Sequence, residues 1–450
     1  MRSANAVAAL MRDAGRRVAS DEPLGAAVYD ALRRLREEPR GERLHTIVTR
    51  CDVACEPHKS VAADLSISRR QFYRDLEAGR RRVSELLEEF PPADNDERAI
   101  ADWKLTATVS LTASGQIDAA RKLLPTANSA DGHENTPWAL LGRASSLQAA
   151  GQATQAASLL ERCIAQLPPA PFLVPGSADA KSLAYTLLAF CNFELGKIRE
   201  AVSVHSRNPA AVPGAVSTVT RRQYLNVDAM LACDGRNGTG RAKAICIAFH
   251  RFAIEHGFVE DISSSLLLLS GVARFERRYA DAERLARESL SIHQALDQPV
   301  APIIGMLAAI AIDRGDARAA IELARETKEH AAPESHSWWA AHLYEAEAAN
   351  LAGRPRAALT TCANVERDAG NPDGRILSWS RRIQASSFAL AGETTAARRA
   401  AESALEIAGH DGPAYQRLKS LLIAQRVGPR AQRREEIREL ATLFGWEVPA

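Results

Sequence analysis

The chain has 450 residues, 46% of them hydrophobic and only 5% aromatic, and its formal net charge is +2. A charge so near zero excludes a polycation that coats nucleic acid with its whole surface, so any affinity for DNA must be local. The length allows two domains or an elongated repeat. The longest leucine run, at 266–269, is soon followed by Arg274 and Glu276 and cannot cross a membrane.

Seven cysteines are an odd number, and they are scattered singly. That distribution points to a reducing cytoplasm rather than a disulfide framework. The apolar run at 6–11 stops at Arg12 and Asp13, too short for the core of a signal peptide. The expectation is a cytoplasmic protein with no membrane contact.

Apolar residues three and four apart predict helices over about 24–36 and 40–53. The stretch CDVACEPH that follows carries Cys51, Cys55 and His58. These residue types can hold zinc or form a thiol switch. Their spacing is not that of a CxxC knuckle and no second cysteine pair follows, so two structural cysteines near a helix end are expected, with no metal.

Residues 61–76 read VAADLSISRRQFYRDL. A small-residue helix stops at Ser66 and Ile67, and an arginine-rich one starts at Ser68. Ala62 is small enough for the two helices to cross. Leu65 and Ile67 flank the turn and are expected to be buried. Ser68 is an N-cap, and Gln71 three residues on completes a capping box. Phe72 and Leu76, four apart, share the inward face. The outward face then presents Arg69, Arg70, Gln71, Tyr73 and Arg74, long donors on the first turns of the second helix, where base edges are read. Arg80, Arg81 and Arg82 lie two to three turns further on and are expected to touch phosphates. Between 66 and 82 the charge is +4, above that of the entire chain.

This stretch resembles the helix-turn-helix of bacterial transcription regulators, the kind found in sigma factors and response regulators. The resemblance implies double-stranded DNA as a partner. That family usually has glycine at the turn, where this chain has Ser66, whose backbone would need a left-handed or bridging conformation.

PPADND at 91–96 marks a boundary, giving a DNA-binding domain over 1–90 and a second domain over 97–450. In the second domain one pattern recurs. GQIDAARKLL begins at Gly115, GQATQAASLL at Gly151, GKIREAVSVH at Gly196, GRAKAICIAF at Gly240 and RRYADAERLA at Arg277. GDARAAIELA at Gly315, GRPRAALTTC at Gly353 and GETTAARRAA at Gly392 complete the series. By subtraction the anchors lie 36 to 45 residues apart. Seven residues before them stand Thr108, Ala144, Ala189, Cys233, Ser270, Ala308, Ala346 and Ala385. Five residues after stand alanines, with Ile245 the exception. Small residues at fixed points on successive helices let backbones approach, and glycine allows the tight turn. The expected fold is all-α: a helix-turn-helix bundle, then an α-solenoid of helical hairpins. Longer loops at 167–178 and 208–214 account for the wider spacings, and a final basic helix over about 413–444 is expected to cap the open end of the stack.

The repeat resembles the tetratricopeptide family over roughly 96–409, in its small residue, turn glycine and early alanine. Its period is longer than the family's, and aliphatic residues replace the family's aromatics. The resemblance implies a protein or peptide partner in the repeat groove.

GRNGTGRA at 235–242 imitates a phosphate-cradling loop, but Arg241 replaces the lysine, Ala242 replaces the hydroxyl, and no strand precedes it. Of the tandem Trp338 and Trp339, one ring is expected in the core and one half-exposed. No Ser/His/Asp order, HExxH motif or paired carboxylates support an enzyme, and no cofactor is expected. The sequence predicts a one-component transcription regulator whose repeat domain senses an effector or makes a homodimer. The alternative is a protein-interaction scaffold with a basic head.

Overall fold

The computed structural model describes residues 31–39, 41–53, 58–88, 137–149, 152–167, 177–212, 216, 218–234, 238–296, 298–369, 374–409 and 413–446. Every regular element among them is helical. The chain forms two compact units: Met1–Leu188, Val204–Leu225 and Arg251–Val259 in the first, and Ala189–Ser203, Asn226–His250 and Glu260–Ala450 in the second. The predicted boundary at 91–96 lies outside the described residues, as do Thr108, Gly115, Ala120 and the glycine anchor at 151. In the first unit the N-terminal head is grouped with hairpin helices.

The head contains a helical segment at 31–37, then α1 (Gly41–Val48), a π-helical turn (Thr49–Val53), α2 (His58–Asp64) and α3 (Arg69–Glu88). The hairpins follow as α4 (Pro137–Ala149), α5 (Ala153–Gln166), α6 (Ser177–Glu194), α7 (Ile198–Ser206), α8 (Thr218–Asp234), α9 (Gly238–Glu255), α10 (Val259–Phe275) and α11 (Tyr279–Ala295). They continue as α12 (Ala301–Asp313), α13 (Ala317–His330), α14 (His336–Leu351), α15 (Pro355–Asp368), α16 (Gly374–Leu390), α17 (Thr394–Ala408), α18 (Ala414–Val427) and α19 (Ala431–Leu443).

One turn joins most of these helices. At Gly315 the backbone is left-handed, with φ 79°. Its N–H donates to the Ile312 carbonyl, and the next N–H, of Asp316, reaches back to Ala311 at 2.9 Å. This pair of bonds satisfies the last free carbonyls of the helix and turns the chain sharply. The same pair recurs at Gly196, Gly353 and Gly392. It also recurs at Arg277, where the sequence departs from glycine yet φ is 59°. Hydrogen bonding therefore sets the turn's shape, and glycine only makes it easier.

Beyond each turn the buried stripe repeats with helical spacing. Ala282, Ala286 and Ser289 on α11 recur as Ala320, Ala324 and Thr327 on α13, and as Ala358, Cys362 and Val365 on α15, all buried. On the preceding helices Ala144, Ala189, Ser270, Ala308, Ala346 and Ala385 are fully buried, as the small-residue spacing predicts. Polar cross-links keep the same register. The Cys163 thiol donates to Pro137, the Ser263 hydroxyl to Ser289 and the Ser378 hydroxyl to Ala404, each spanning 26 residues to a carbonyl. Ser182 donates over the same span to the Asn208 side chain at 2.6 Å.

Two expectations are corrected. Gly240 is not a turn anchor, because it lies inside α9; the left-handed glycine is Gly238, with φ 75°. Ala242, Cys246 and Phe249 carry the buried stripe there, three residues earlier than the predicted register, so Ile245 is only half-buried. The residues 413–444 are not one capping helix but the hairpin α18–α19, broken at Gly428. That hairpin packs onto α10: Tyr415, Leu418 and Phe444 cluster with Phe275, and the Trp446 indole donates to the Phe275 carbonyl at 2.6 Å. Within the second unit the last hairpin packs both on the hairpin before it, Ala424 against Ala385, Ala400 and Ala401, and on the earlier helix α10.

Ala320 and Ala358 are fully buried at hairpin crossings. Ala320→Leu and Ala358→Leu should each destabilise the fold by about 1–3 kcal/mol through overpacking, read as a lower denaturation midpoint. Unchanged midpoints in both variants would refute the register.

Candidate functional site

The α2–α3 turn is built as the hairpin turns are. Ser66 sits at φ 54°, its N–H donates to Ala63, and the Ile67 N–H reaches Ala62 at 3.2 Å. A serine therefore occupies the left-handed site where the helix-turn-helix resemblance calls for glycine. The Ser68 hydroxyl accepts the Gln71 N–H at 3.2 Å and caps α3. The Gln71 side chain does not reach back to complete the box; its amide donates to Asp75 at 2.6 Å and its oxygen accepts from Arg74. Phe72 and Leu76 are buried as predicted, whereas Leu65 and Ile67 are half-buried.

The head's core explains why α3 presents the face it does. Val61, Phe72, Leu76, Val83 and Leu86 are buried, as are Ile47 and Val48 on α1. A Cβ on Gly79 would lie 2.6 Å from Val48 Cγ2, so α1 and α3 cross where the Val48 side chain leaves α3 room for no side chain of its own. Turned outward are Arg69, Arg70 and Arg74, which are exposed, and Tyr73, which is half-buried with the Arg69 guanidinium 5.8 Å from its ring centre. His58 packs on the same aromatic pair, 5.4 Å from Phe72 and 5.9 Å from Tyr73.

The second arginine group departs from expectation. Arg80 is buried and holds Asp52 through two bonds of 2.8 and 2.6 Å, with both side chains 1% exposed. It also donates to the Gly257 carbonyl at 3.3 Å. A guanidinium closed in this way cannot touch a phosphate, so Arg80 is a structural residue. Arg82 is held by Glu38 at 2.6 Å and Glu85 at 2.7 Å. Arg81 alone of the three is exposed. The local excess of positive charge is therefore smaller in the folded head than the sequence count suggests.

Among the described residues no group of three or more His, Cys, Asp or Glu could hold a metal ion. Cys55 lies outside them, Cys51 is buried, and His58 serves in the aromatic contacts above.

The second unit holds a charged cluster that no sequence motif announced. Asp313, at the end of α12, accepts from Arg274 at 2.6 Å, Lys419 at 2.7 Å and the Tyr415 hydroxyl at 2.8 Å. Beside it Arg382 on α16 pairs with Glu347 on α14 at 2.5 Å. Burial alone would raise the Asp313 pKa, but Arg274 and Lys419 outweigh it and hold the carboxyl well below its usual range. The cluster borders a cavity of about 300 Å³ whose lining includes Leu267, Met306, Tyr344 and Trp379. Trp338 and Trp339 do not line it. Both are half-buried, Trp339 against the cluster of Leu343 and Ile383 and Trp338 against His342.

No protein family matches the sequence, and no curated protein does. Several solved structures are similar in part. A tetratricopeptide repeat protein from Parabacteroides merdae ATCC 43184 is 12% identical with a TM-score of 0.36, over 68% of this chain and 98% of its own. The APC/C hetero-tetramer Cut9-Hcn1 is 10% identical with a TM-score of 0.47, over 95% of this chain and 92% of its own. The TPR domain of P58(IPK) is 15% identical with a TM-score of 0.22, over 77% and 98%. Likenesses of this size say nothing about what this chain binds. The helical-hairpin repeat stands on its own turns and crossings.

Two outcomes follow. Arg80→Ala leaves Asp52 buried without its cation and should destabilise the head by about 3–5 kcal/mol, whereas Arg81→Ala should change stability by less than about 0.5 kcal/mol. Equal denaturation curves for the two variants would refute the buried pair. Asp313→Asn should also destabilise the protein, and its pH dependence has a fixed sign. The folded-state pKa of Asp313 is depressed, so its stabilisation is complete at neutral pH and fades as pH falls below the unfolded value of about 4. The gap between wild type and Asp313→Asn should narrow on acidification; a gap that widens would refute the assignment.

Proposed function

We propose that this chain is a helical-repeat binding protein whose hairpins take a protein or peptide partner and whose head docks on double-stranded DNA as a transcription regulator. The observation that carries the DNA reading is the α2–α3 turn. A left-handed Ser66 and a Ser68 cap aim the first turns of α3 outward, with Phe72 and Leu76 holding the helix from behind. Arg69, Arg70 and Arg74 are then long cationic donors at the helix end that enters a major groove. Arg70 is the residue we assign to base edges. Gln71 reads a base only by giving up its bonds to Asp75 and Arg74. Arg81, exposed one turn beyond Glu77, takes the phosphate role expected of the three later arginines. No described helix is long and apolar enough to cross a membrane, and we place the protein in the cytoplasm.

The loss of Arg80 and Arg82 as phosphate ligands favours a second reading, in which the head grips an acidic protein partner and the whole chain is a scaffold. Binding to the duplex upstream of its own gene, followed by fluorescence anisotropy at two salt concentrations, separates the two. On the DNA reading, Arg70→Ala should weaken the preferred duplex by about 1–3 kcal/mol relative to random DNA. Arg81→Ala should weaken all duplexes alike and lower the salt slope by about one. If neither variant changes binding to any duplex, or wild type binds none, the scaffold reading takes its place.

A further inference from the structure

The cavity in the second unit is unbalanced in charge. Three cations, Arg274, Arg382 and Lys419, face two carboxylates, Asp313 and Glu347. The other ion pair at its edge, Arg375 with Asp234 at 3.0 Å, is internally neutral. Burial alone would lower the Lys419 pKa, but Glu347 and Asp313 outweigh it, and the ammonium stays charged. One positive charge is thus left over in a cavity part-open to solvent, with the Lys419 side chain 19% and the Arg274 side chain 13% exposed, and an anion that entered would be attracted to it.

The hydrogen-bond inventory has a matching gap. The Arg382 side chain is 6% exposed, and its Nε–H has no acceptor among the described residues although a terminal nitrogen holds Glu347. The Trp379 indole N–H and the Gln416 side-chain oxygen, on two other residues of the lining, are also buried without partners. Buried polar groups of this kind are normally satisfied. The remaining wall is mixed: Thr327, His336 and Ser337 contribute polar groups, and Leu267, Met306, Tyr344 and Trp379 an apolar, partly aromatic side, with Tyr344 and Trp379 packed edge to face at 4.8 Å.

We infer that this cavity binds a small organic monoanion with a flat apolar body, an aryl carboxylate in class. The carboxylate neutralises the surplus cation and accepts from Arg382, and the ring lies against Trp379 and Met306. The volume of about 300 Å³ leaves room for on the order of ten non-hydrogen atoms, each counted as roughly one water volume. A peptide chain of several residues exceeds that room. A dianion would overshoot the single surplus charge.

The test is calorimetric titration of the full-length protein with trans-cinnamate, its neutral amide cinnamamide, and naphthoate. It reads binding directly, so its outcome does not depend on whether the head binds DNA. Saturable cinnamate binding at submillimolar concentration, with cinnamamide at least tenfold weaker, is the expected result. Arg382→Gln should weaken cinnamate at least tenfold. Because that variant opens a buried ion pair, Met306→Trp serves beside it. It fills the chamber from a half-buried apolar position and should abolish binding while the circular dichroism stays that of wild type. Absence of saturable binding by both carboxylates overturns the inference. So does equal affinity for cinnamate and cinnamamide, or unchanged binding in Met306→Trp.

Discussion

Two helices can pack with their axes 8–10 Å apart only where the side chains between them are small. In this chain that constraint is met again and again at one place, the crossing beside each turn. Ala320 packs with Ala311 and Ala348, and Ala358 with Ala346; all are buried. Any larger side chain would push the hairpin open, and every later helix is placed by the hairpin before it. The turn fixes the other half of the geometry. Its two backbone bonds reverse the chain within three residues, so the crossing point always falls at the same distance from the turn.

The same device serves the head. Ser66 is left-handed for the reason Gly315 is, because the next N–H must reach a carbonyl five residues back. What differs is the face left over. In the hairpins the outward residues of the second helix are mixed in sign, with pairs such as Arg287–Glu283 and Arg318–Glu322 closing on themselves. On the first two turns of α3 the exposed residues are all donors: Arg69, Arg70 and Arg74. That contrast gives the head its candidate surface, and the burial of Arg80 shows where the surface ends.

The charged cluster around Asp313 belongs to a different level of organisation. Arg274, Asp313 and Lys419 come from α10, α12 and α18, and Tyr415 is 102 positions from the carboxylate it holds. Lys419 and Tyr415 reach Asp313 because the last hairpin packs back on Phe275. The ion pairs then tie the ends of several helices, and the space they enclose inherits their surplus charge. Arg274–Asp313 and Arg382–Glu347 join neighbouring hairpins, and it is the last hairpin that adds Lys419 and Tyr415 to Asp313.

Local rules made much of this legible in the amino-acid sequence. The turn glycines, the alanines five residues beyond them, the Ser68 cap and the inward pair Phe72 and Leu76 depend on neighbours within a turn or two, so spacing alone determines them. The anchor at Gly240 misled because α9 begins before it, and a three-residue shift preserves much of a helical stripe in an alanine-rich chain. Other features were decided only by contacts between distant residues. Arg80 and Arg81 are adjacent arginines with opposite fates, since Asp52 happens to lie behind one of them. Likewise 413–444 reads as a single basic helix until Gly428 breaks it and Tyr415, Leu418 and Phe444 find Phe275. Helical periodicity determines which side of a helix is buried, but not what it is buried against. That choice rests on the sum of many hairpin angles, which no short stretch of sequence contains.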